Sequence, residues 1–211
     1  MPFEQDRMRN PYGMDEACPR CDALVETRHT IVHGFGDVTA EFFFVAETPT
    51  ERADERGHPV TEPDDGYGLI DLLDAGGFLT DETDAADEPV LENAFVTHLT
   101  RCRHPDRAPT DVEVRNCEPF LNAELRSINP EILVPVGQRP LRFLAAEYTT
   151  TDPRTLSIDE VHATELRGRG FELVPSIEPD RMDDTTYEVF AERLAETMGR
   201  DYRQTKGRRR R

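Results

Sequence analysis

Four apolar runs of strand length, residues 42–46, 94–99, 132–136 and 171–175, constrain this chain more than any other feature. The first reads Phe-Phe-Phe-Val-Ala, and none shows the in–out alternation of a half-exposed sheet. Continuous apolar strands are buried on both faces, as in a parallel sheet covered by helices on either side. Helical patterns separate the runs. Residues 68–75 carry Leu69, Ile70, Leu72 and Leu73. Thr110-Asp-Val-Glu has capping-box form and opens a helix with Val114, Phe120, Leu121 and Leu125 on its buried side. Residues 140–146, and 183–199 with Tyr187, Phe190, Leu194 and Met198, complete the set. The expectation is a three-layer α/β/α fold around a central, mostly parallel four-stranded sheet.

A length of 211 residues suits one domain, expected over 18–200, with a polar N-terminal arm (1–17) and a basic flexible tail (201–211). Two stretches read as loops: 48–65, rich in charge, Pro and Gly, and the acidic segment 80–89, expected to be a solvated insertion. Ligands of open α/β sheets bind at the carboxyl ends of the strands. Chemistry is therefore expected in the loops that begin at Ala46, Leu99, Val136 and Pro175.

The chain has 43 acidic and 25 basic residues, a net charge of −18, and Lys206 as its only lysine. A strongly acidic, lysine-poor surface stays soluble where salt screens repulsion, which points to a saline cytoplasm. The first twelve residues are charged and lack the apolar core of an export signal. No run approaches the roughly eighteen apolar residues of a membrane span. A cytoplasmic monomer that makes no membrane contact is expected. The acidity opposes a phosphate backbone, which calls for a basic face. Arginines nevertheless cluster locally: Arg101, Arg103 and Arg107 around Cys102, and Arg167 and Arg169 about Gly168.

The four cysteines fall in two distant pairs, Cys18-Pro-Arg-Cys21 and Cys102 with Cys117. Disulfides are rare in the cytosol. Four thiolates converging from two pairs suit a tetrahedral metal ion or an iron–sulfur cluster, and the spacing alone leaves zinc and iron–sulfur both open.

The order of motifs resembles the family-four, iron–sulfur branch of the uracil-DNA glycosylase superfamily over about residues 18–182. Its C-x-x-C, Arg and V-x-G-x-G run reads here Cys18-Pro-Arg-Cys21, Arg28 and Val32-His-Gly-Phe-Gly36. Its G-E-x-P-G loop is matched by Ala46-Glu-Thr-Pro-Thr50, and its G-x-P by Gly57-His-Pro59. Cys102-Arg-His-Pro105, Cys117-Glu-Pro-Phe-Leu121 and Pro175-Ser-Ile-Glu-Pro179 match its later motifs. The resemblance implies the family's α/β/α fold, excision of uracil or another damaged base from DNA, and a 4Fe–4S cluster on Cys18, Cys21, Cys102 and Cys117. It implies catalytic positions at Glu47, His98 and Glu178, and a base-binding surface from Pro49, Val60 and Tyr67. Arg101, Arg103, Arg107, Arg167 and Arg181 are the expected DNA contacts. Five positions depart from the pattern. Ala46 and Thr50 replace the flanking glycines of the G-E-x-P-G loop. Val60 stands where a stacking Phe belongs, His98 where an Asn reads the base, and Glu178 where a His belongs. His98 and Glu178 are expected on adjoining strands, with His98 donating to the leaving group and Glu178 orienting it. A non-catalytic descendant that binds DNA or protein is the alternative.

Overall fold

The computed structural model describes residues 9–83 and 88–200. The expected tail (201–211), the start of the arm (1–8) and the middle of the acidic segment (84–87) lie outside the described residues. The strands are β1 (Phe35–Gly36), β2 (Phe42–Ala46), β3 (Leu79–Thr83), β4 (Pro89–Leu91), β5 (Ala94–His98), β6 (Ile132–Pro135), β7 (Leu166–Arg167) and β8 (Glu172–Leu173). Six of them form one sheet in the order β1-β5-β2-β6-β8-β7. Its centre, β5-β2-β6-β8, is parallel and consists of the four strands expected from the sequence. The short strands β1 and β7 add antiparallel edges, so the expected count of four becomes six.

Alternation hidden in the apolar runs emerges once the faces are separated. Phe42, Phe44, Val96, Ile132, Val134 and Val174 face one layer, with Leu72 and Leu73 of α3 (Leu69–Ala75) and Phe190 and Leu194 of α7 (Asp184–Gly199). Phe43, Val45, Phe95, Leu133 and Leu173 face the other, with Val114, Leu121 and Leu125 of α4 (Asp111–Ile128) and Leu144 of α5 (Gln138–Tyr148). Both faces are dry, so a period of two leaves no polar trace in the sequence. The ladder between the last strand and β6 lapses after Leu173, because Pro135 of β6 has no N–H to donate to the Val174 carbonyl. The backbone pairing still continues through Val174 N–H to Leu133 (2.9 Å) and Ser176 N–H to Pro135 (2.9 Å).

The helix starts obey their caps. Thr110 and Glu113 form the expected capping box of α4. The segment 48–65, expected to be a loop, contains a short helix, α2 (Glu51–Arg56), with α1 (Asp22–Thr27) preceding it in the chain. Thr50 caps α2 by accepting from Ala53 N–H at 3.1 Å, and Gly57 ends it at φ 67°. Segment 80–89, expected to be a solvated insertion, contributes most of β3 and the first residue of β4, which pair antiparallel. Residues 9–17 are not a free arm. Asn10 donates to the Gly34 carbonyl at 3.1 Å, and Arg9 bridges to Phe35 at the edge of β1. A short helix, α6 (Ile158–Val161), precedes β7.

Candidate active site and cysteine centre

In chain order the parallel strands run β2, β5, β6, β8, whereas in space β2 lies between β5 and β6. The order reverses between β2 and β6, and the carboxyl ends at such a reversal open a crevice. A cleft of about 550 Å³ lies there. Ala46, Glu47 and Pro49 line it from the loop after β2, His98 from the end of β5, Val136 from beyond β6, and Glu178 from beyond β8. Tyr67 closes it from the segment leading into α3.

Glu47 is half-buried, and its Oε1 meets Nη1 of Arg139 at 3.1 Å. Arg139 also bonds Asp111 and the Pro109 carbonyl, tying the β2 loop to the starts of α4 and α5. A cation in the first turn of a helix is electrostatically out of place. That misplacement is the one sequence signal that marks Arg139 as a residue with a partner.

His98 is 3% exposed, and burial, followed by Arg101, pushes its imidazole down to about 3. It is therefore neutral at the floor of the cleft, and its Nδ1 has no hydrogen-bond partner among the described residues. Glu178 accepts from the Gln138 N–H at the start of α5 (3.1 Å) and pairs with Arg181 (2.8 Å). The approach demands a glycine at 137. Its φ is 99°, and a Cβ there would lie 2.8 Å from Glu178 Oε1. His98 and Glu178 are not on adjoining strands, as expected from the sequence, because β2 and β6 lie between β5 and β8. Three strand spacings, about 14 Å, separate the strands. Glu178 orients nothing on His98, although both line the cleft.

The expected base-binding residues divide. Val60 is 4% exposed and packs in the core with Phe44 and Val136. It does not line the cleft, while its neighbours Pro59 and Thr61 do. Tyr67 lines it and stacks on Tyr187 with ring centroids 4.6 Å apart at 12°. Its hydroxyl donates to Asp184 (2.8 Å), a bond that pushes the phenol up to about 12.

The expected DNA contacts divide too. Arg101 is 1% exposed and cannot meet a phosphate. Its Nη2 lies 2.7 Å from Glu124 Oε2, and its guanidinium sits 5.1 Å from the centre of the Phe120 ring. Arg107 is bonded through both terminal nitrogens to Glu113 (2.8 Å each). Arg167 is exposed but pairs in register with Glu172, which in turn pairs with Ile132 at the start of β6. It thus lies toward the end of the sheet opposite the cleft. Arg103 is half-buried, and Arg181, 47% exposed, stands at the rim between Glu178 and Asp159.

The cysteines are free thiols and converge. Cys18, Cys21 and Cys102 pack with Leu24 and Ile31. Burial pushes Cys102 up to about 11; Arg28 pulls the other way, while Cys117 and Cys18 are near enough to add to the rise. Three donors aim at sulfur: Arg28 Nη1 at Cys102 (3.3 Å), the Arg101 N–H at Cys117 (3.4 Å) and Asn116 Nδ2 at Cys21 (3.5 Å). Among the described residues no three His, Cys, Asp or Glu side chains are arranged to hold a single metal ion. Donors directed at converging sulfurs fit thiolates that carry negative charge, as the ligands of a cluster do. The centre is coupled to the cleft. Thr48 and Thr100 both donate to the Cys102 carbonyl (3.2 and 3.3 Å), and the Thr100 N–H donates to the Glu47 carbonyl (3.1 Å).

Comparison with known proteins agrees with this architecture. A Type-4 uracil-DNA glycosylase of Archaeoglobus fulgidus is 31% identical over 129 residues, 61% of this chain and 58% of the relative. One of Thermotoga maritima is 28% identical over 165 residues, 77% of this chain and 74% of the relative. A Type-5 uracil-DNA glycosylase of Pyrobaculum aerophilum is 24% identical over 201 residues, 87% of each. The alignments with the Archaeoglobus relative and with its Saccharolobus solfataricus counterpart span little more than half of those proteins. Residues 33–194 match the family model described as the uracil DNA glycosylase superfamily, a span that contains the whole parallel sheet and every residue of the cleft. Motif order, strand order and this match agree: the chain belongs to the uracil-DNA glycosylase superfamily.

Proposed function

We propose that this protein is a DNA glycosylase that hydrolyses the N-glycosidic bond of a flipped uracil or other damaged base. The observation that carries the reading is the meeting of Glu47, His98 and Tyr67 on one cleft at the strand-order reversal. A flipped nucleotide needs a stacking surface, a reader of its edge and a group that handles water. Tyr67, one face already stacked on Tyr187, offers the other to the base, in the role that the buried Val60 cannot fill. Neutral His98 gives the base edge one N–H or one lone pair, where an amide would give both. Discrimination between uracil and other bases is correspondingly weaker. As the bond from C1′ to the base breaks, a water oxygen bonds to C1′, Glu47 accepts its proton, and the base leaves as an anion. A neutral N–H of His98 stabilises that anion without a proton transfer. Glu178, bonded to Arg181 and to a backbone N–H, holds the cleft wall and donates nothing.

In the same reading Cys18, Cys21, Cys102 and Cys117 hold a 4Fe–4S cluster, with zinc as the less favoured occupant. The cluster supplies a covalent clip between the chain's start and its middle and takes no part in the excision step. Anaerobically purified protein is expected to be brown, with about four irons and four sulfides per chain. A colourless, zinc-loaded protein would count against the cluster. The acidic, lysine-poor composition fits work in a saline cytoplasm.

The excision test uses single- and double-stranded oligonucleotides that carry uracil, hypoxanthine or other lesions, across a KCl series. Abasic product is expected, and Glu47→Gln is expected to lower the rate by about 10²–10⁴-fold. A second reading, a non-catalytic DNA-binding descendant, draws on the ties that occupy Glu178. It predicts retained binding with no product on any lesion.

A further inference from the structure

This inference rests on the glycosylase reading and concerns how an acidic cleft admits a polyanion. Among the described residues, seven of the side chains that line the cleft are carboxylates, and Arg52 is the only permanent cation beside them. Glu47 and Glu178 have partners in Arg139 and Arg181, which leaves Asp180 and the carboxylates around α2 and the 61–65 segment facing any incoming strand. Arg52 reaches from α2 across to that segment. Its Nη1 donates to the Glu62 carbonyl at 3.1 Å and its Nη2 to the Asp64 carboxylate. The two halves of the contact differ in strength. The carbonyl holds the side chain extended, whereas Asp64 is 84% exposed, and an ion pair so open to water is a weak tether. A guanidinium fork matches a phosphate in geometry and bonds it through two parallel N–H groups.

We propose that Arg52 is the phosphate clamp of this cleft. When DNA enters, its guanidinium leaves Asp64 for a backbone phosphate beside the nucleotide stacked on Tyr67, and the Glu62 carbonyl keeps it aimed. Asp64 pairs with the guanidinium in the free protein and competes with DNA for it. The exchange converts one carboxylate-paired cation into a phosphate contact, the sole such contact that the described residues of the cleft lining offer.

The two partners of the pair must then affect binding with opposite signs. The test measures anisotropy of a dye-labelled, lesion-free single-stranded DNA against the intact protein across a KCl series. Arg52→Gln is expected to raise Kd about 5- to 10-fold at the low-salt end and to reduce the slope of log K against log salt by about one. Asp64→Asn is expected to lower Kd about two- to fivefold, the fold-change of one surface ion pair. Against a strand with uncharged methylphosphonate linkages, Arg52→Gln and the parent protein should bind alike. If the pair only latches a loop, both substitutions will shift Kd in the same direction, or neither will, and the clamp is overturned. Absence of binding to any strand also overturns it. These readouts need no turnover. A protein that binds with opposite signs yet yields no abasic product therefore contradicts the glycosylase reading and leaves the clamp standing.

Discussion

Replacing Arg101 by Met is expected to cost about 3–5 kcal/mol of stability and to leave DNA affinity per folded molecule unchanged. The side chain is buried between Glu124, at 2.7 Å, and the ring of Phe120. Removing it strands the Glu124 carboxylate, which is 1% exposed, in a medium that cannot solvate it. The pair is imperfect. Nε and Nη1 of Arg101 find no acceptor, and the short contact to Glu124 is a charge contact without good hydrogen-bond geometry. An imperfect buried ion pair is replaceable by apolar groups, so Arg101→Met combined with Glu124→Leu should recover most of the loss. Denaturant midpoints at fixed KCl for both singles and the double measure this directly. Lost DNA binding with an unchanged midpoint would instead return Arg101 to the surface role its sequence neighbourhood suggests. The pair also accounts for one motif glycine. A Cβ at Gly34 would lie 2.4 Å from Glu124 Oε1 and 2.5 Å from the Phe95 ring, so the V-x-G-x-G run leaves room for the buried carboxylate.

Acid is expected to destabilise the fold well before its carboxylates titrate. Burial, then Arg101, pushes His33 down to about 4, and the same two causes push His98 down to about 3. Both rings are neutral in the folded state, while in the unfolded chain each binds a proton near 6.5. Below that pH the unfolded state takes up protons that the folded state refuses. Stability is complete above about pH 7 and falls steadily as the pH drops toward 4. At pH 5 the loss is on the order of 2 kcal/mol for each histidine. Glu113, pushed down to about 2 chiefly by its hydrogen bond from Arg107, adds a further loss only below the ordinary glutamate range. Denaturant midpoints at pH 7.5, 6 and 5 check the slope, and His33→Gln should remove about half of it. A midpoint flat over that interval would mean that neither imidazole is held neutral.

Periodicity made the four central strands and the main helices readable, because burial on both faces demands a continuous apolar run and capping chemistry is local. The capping box at Thr110 and Glu113 needs only residues three apart. The edge strands and the β3–β4 hairpin were not readable. Two-residue strands have no period, and β3 pairs with β4 across a segment whose charges read as solvated. Thr50, which stands where the family's loop has a glycine, is the cap that starts α2. Among the site residues, the loop after β2 and the end of β5 came from the rule that chemistry gathers at strand ends. Val60 failed for a local reason: in a chain segment crossing the core, consecutive side chains point to opposite sides, and Pro59 and Thr61 took the cleft.

The sequence by itself determined the layer architecture, the strand ends that carry the cleft, and the family, since these rest on local periodicity and on motifs in fixed order. Only the tertiary structure decided which arginines reach solvent. Arg101 and Arg103 are two residues apart, yet one is sealed against Glu124 and the other reaches water. It also decided that β2 and β6 separate His98 from Glu178, that Arg139 holds Glu47, and that Arg52 ties α2 to the 61–65 segment. Charge type is written in the sequence, but a charge acts through its solvation and its nearest partner. Both are fixed by residues distant in the chain that folding brings together.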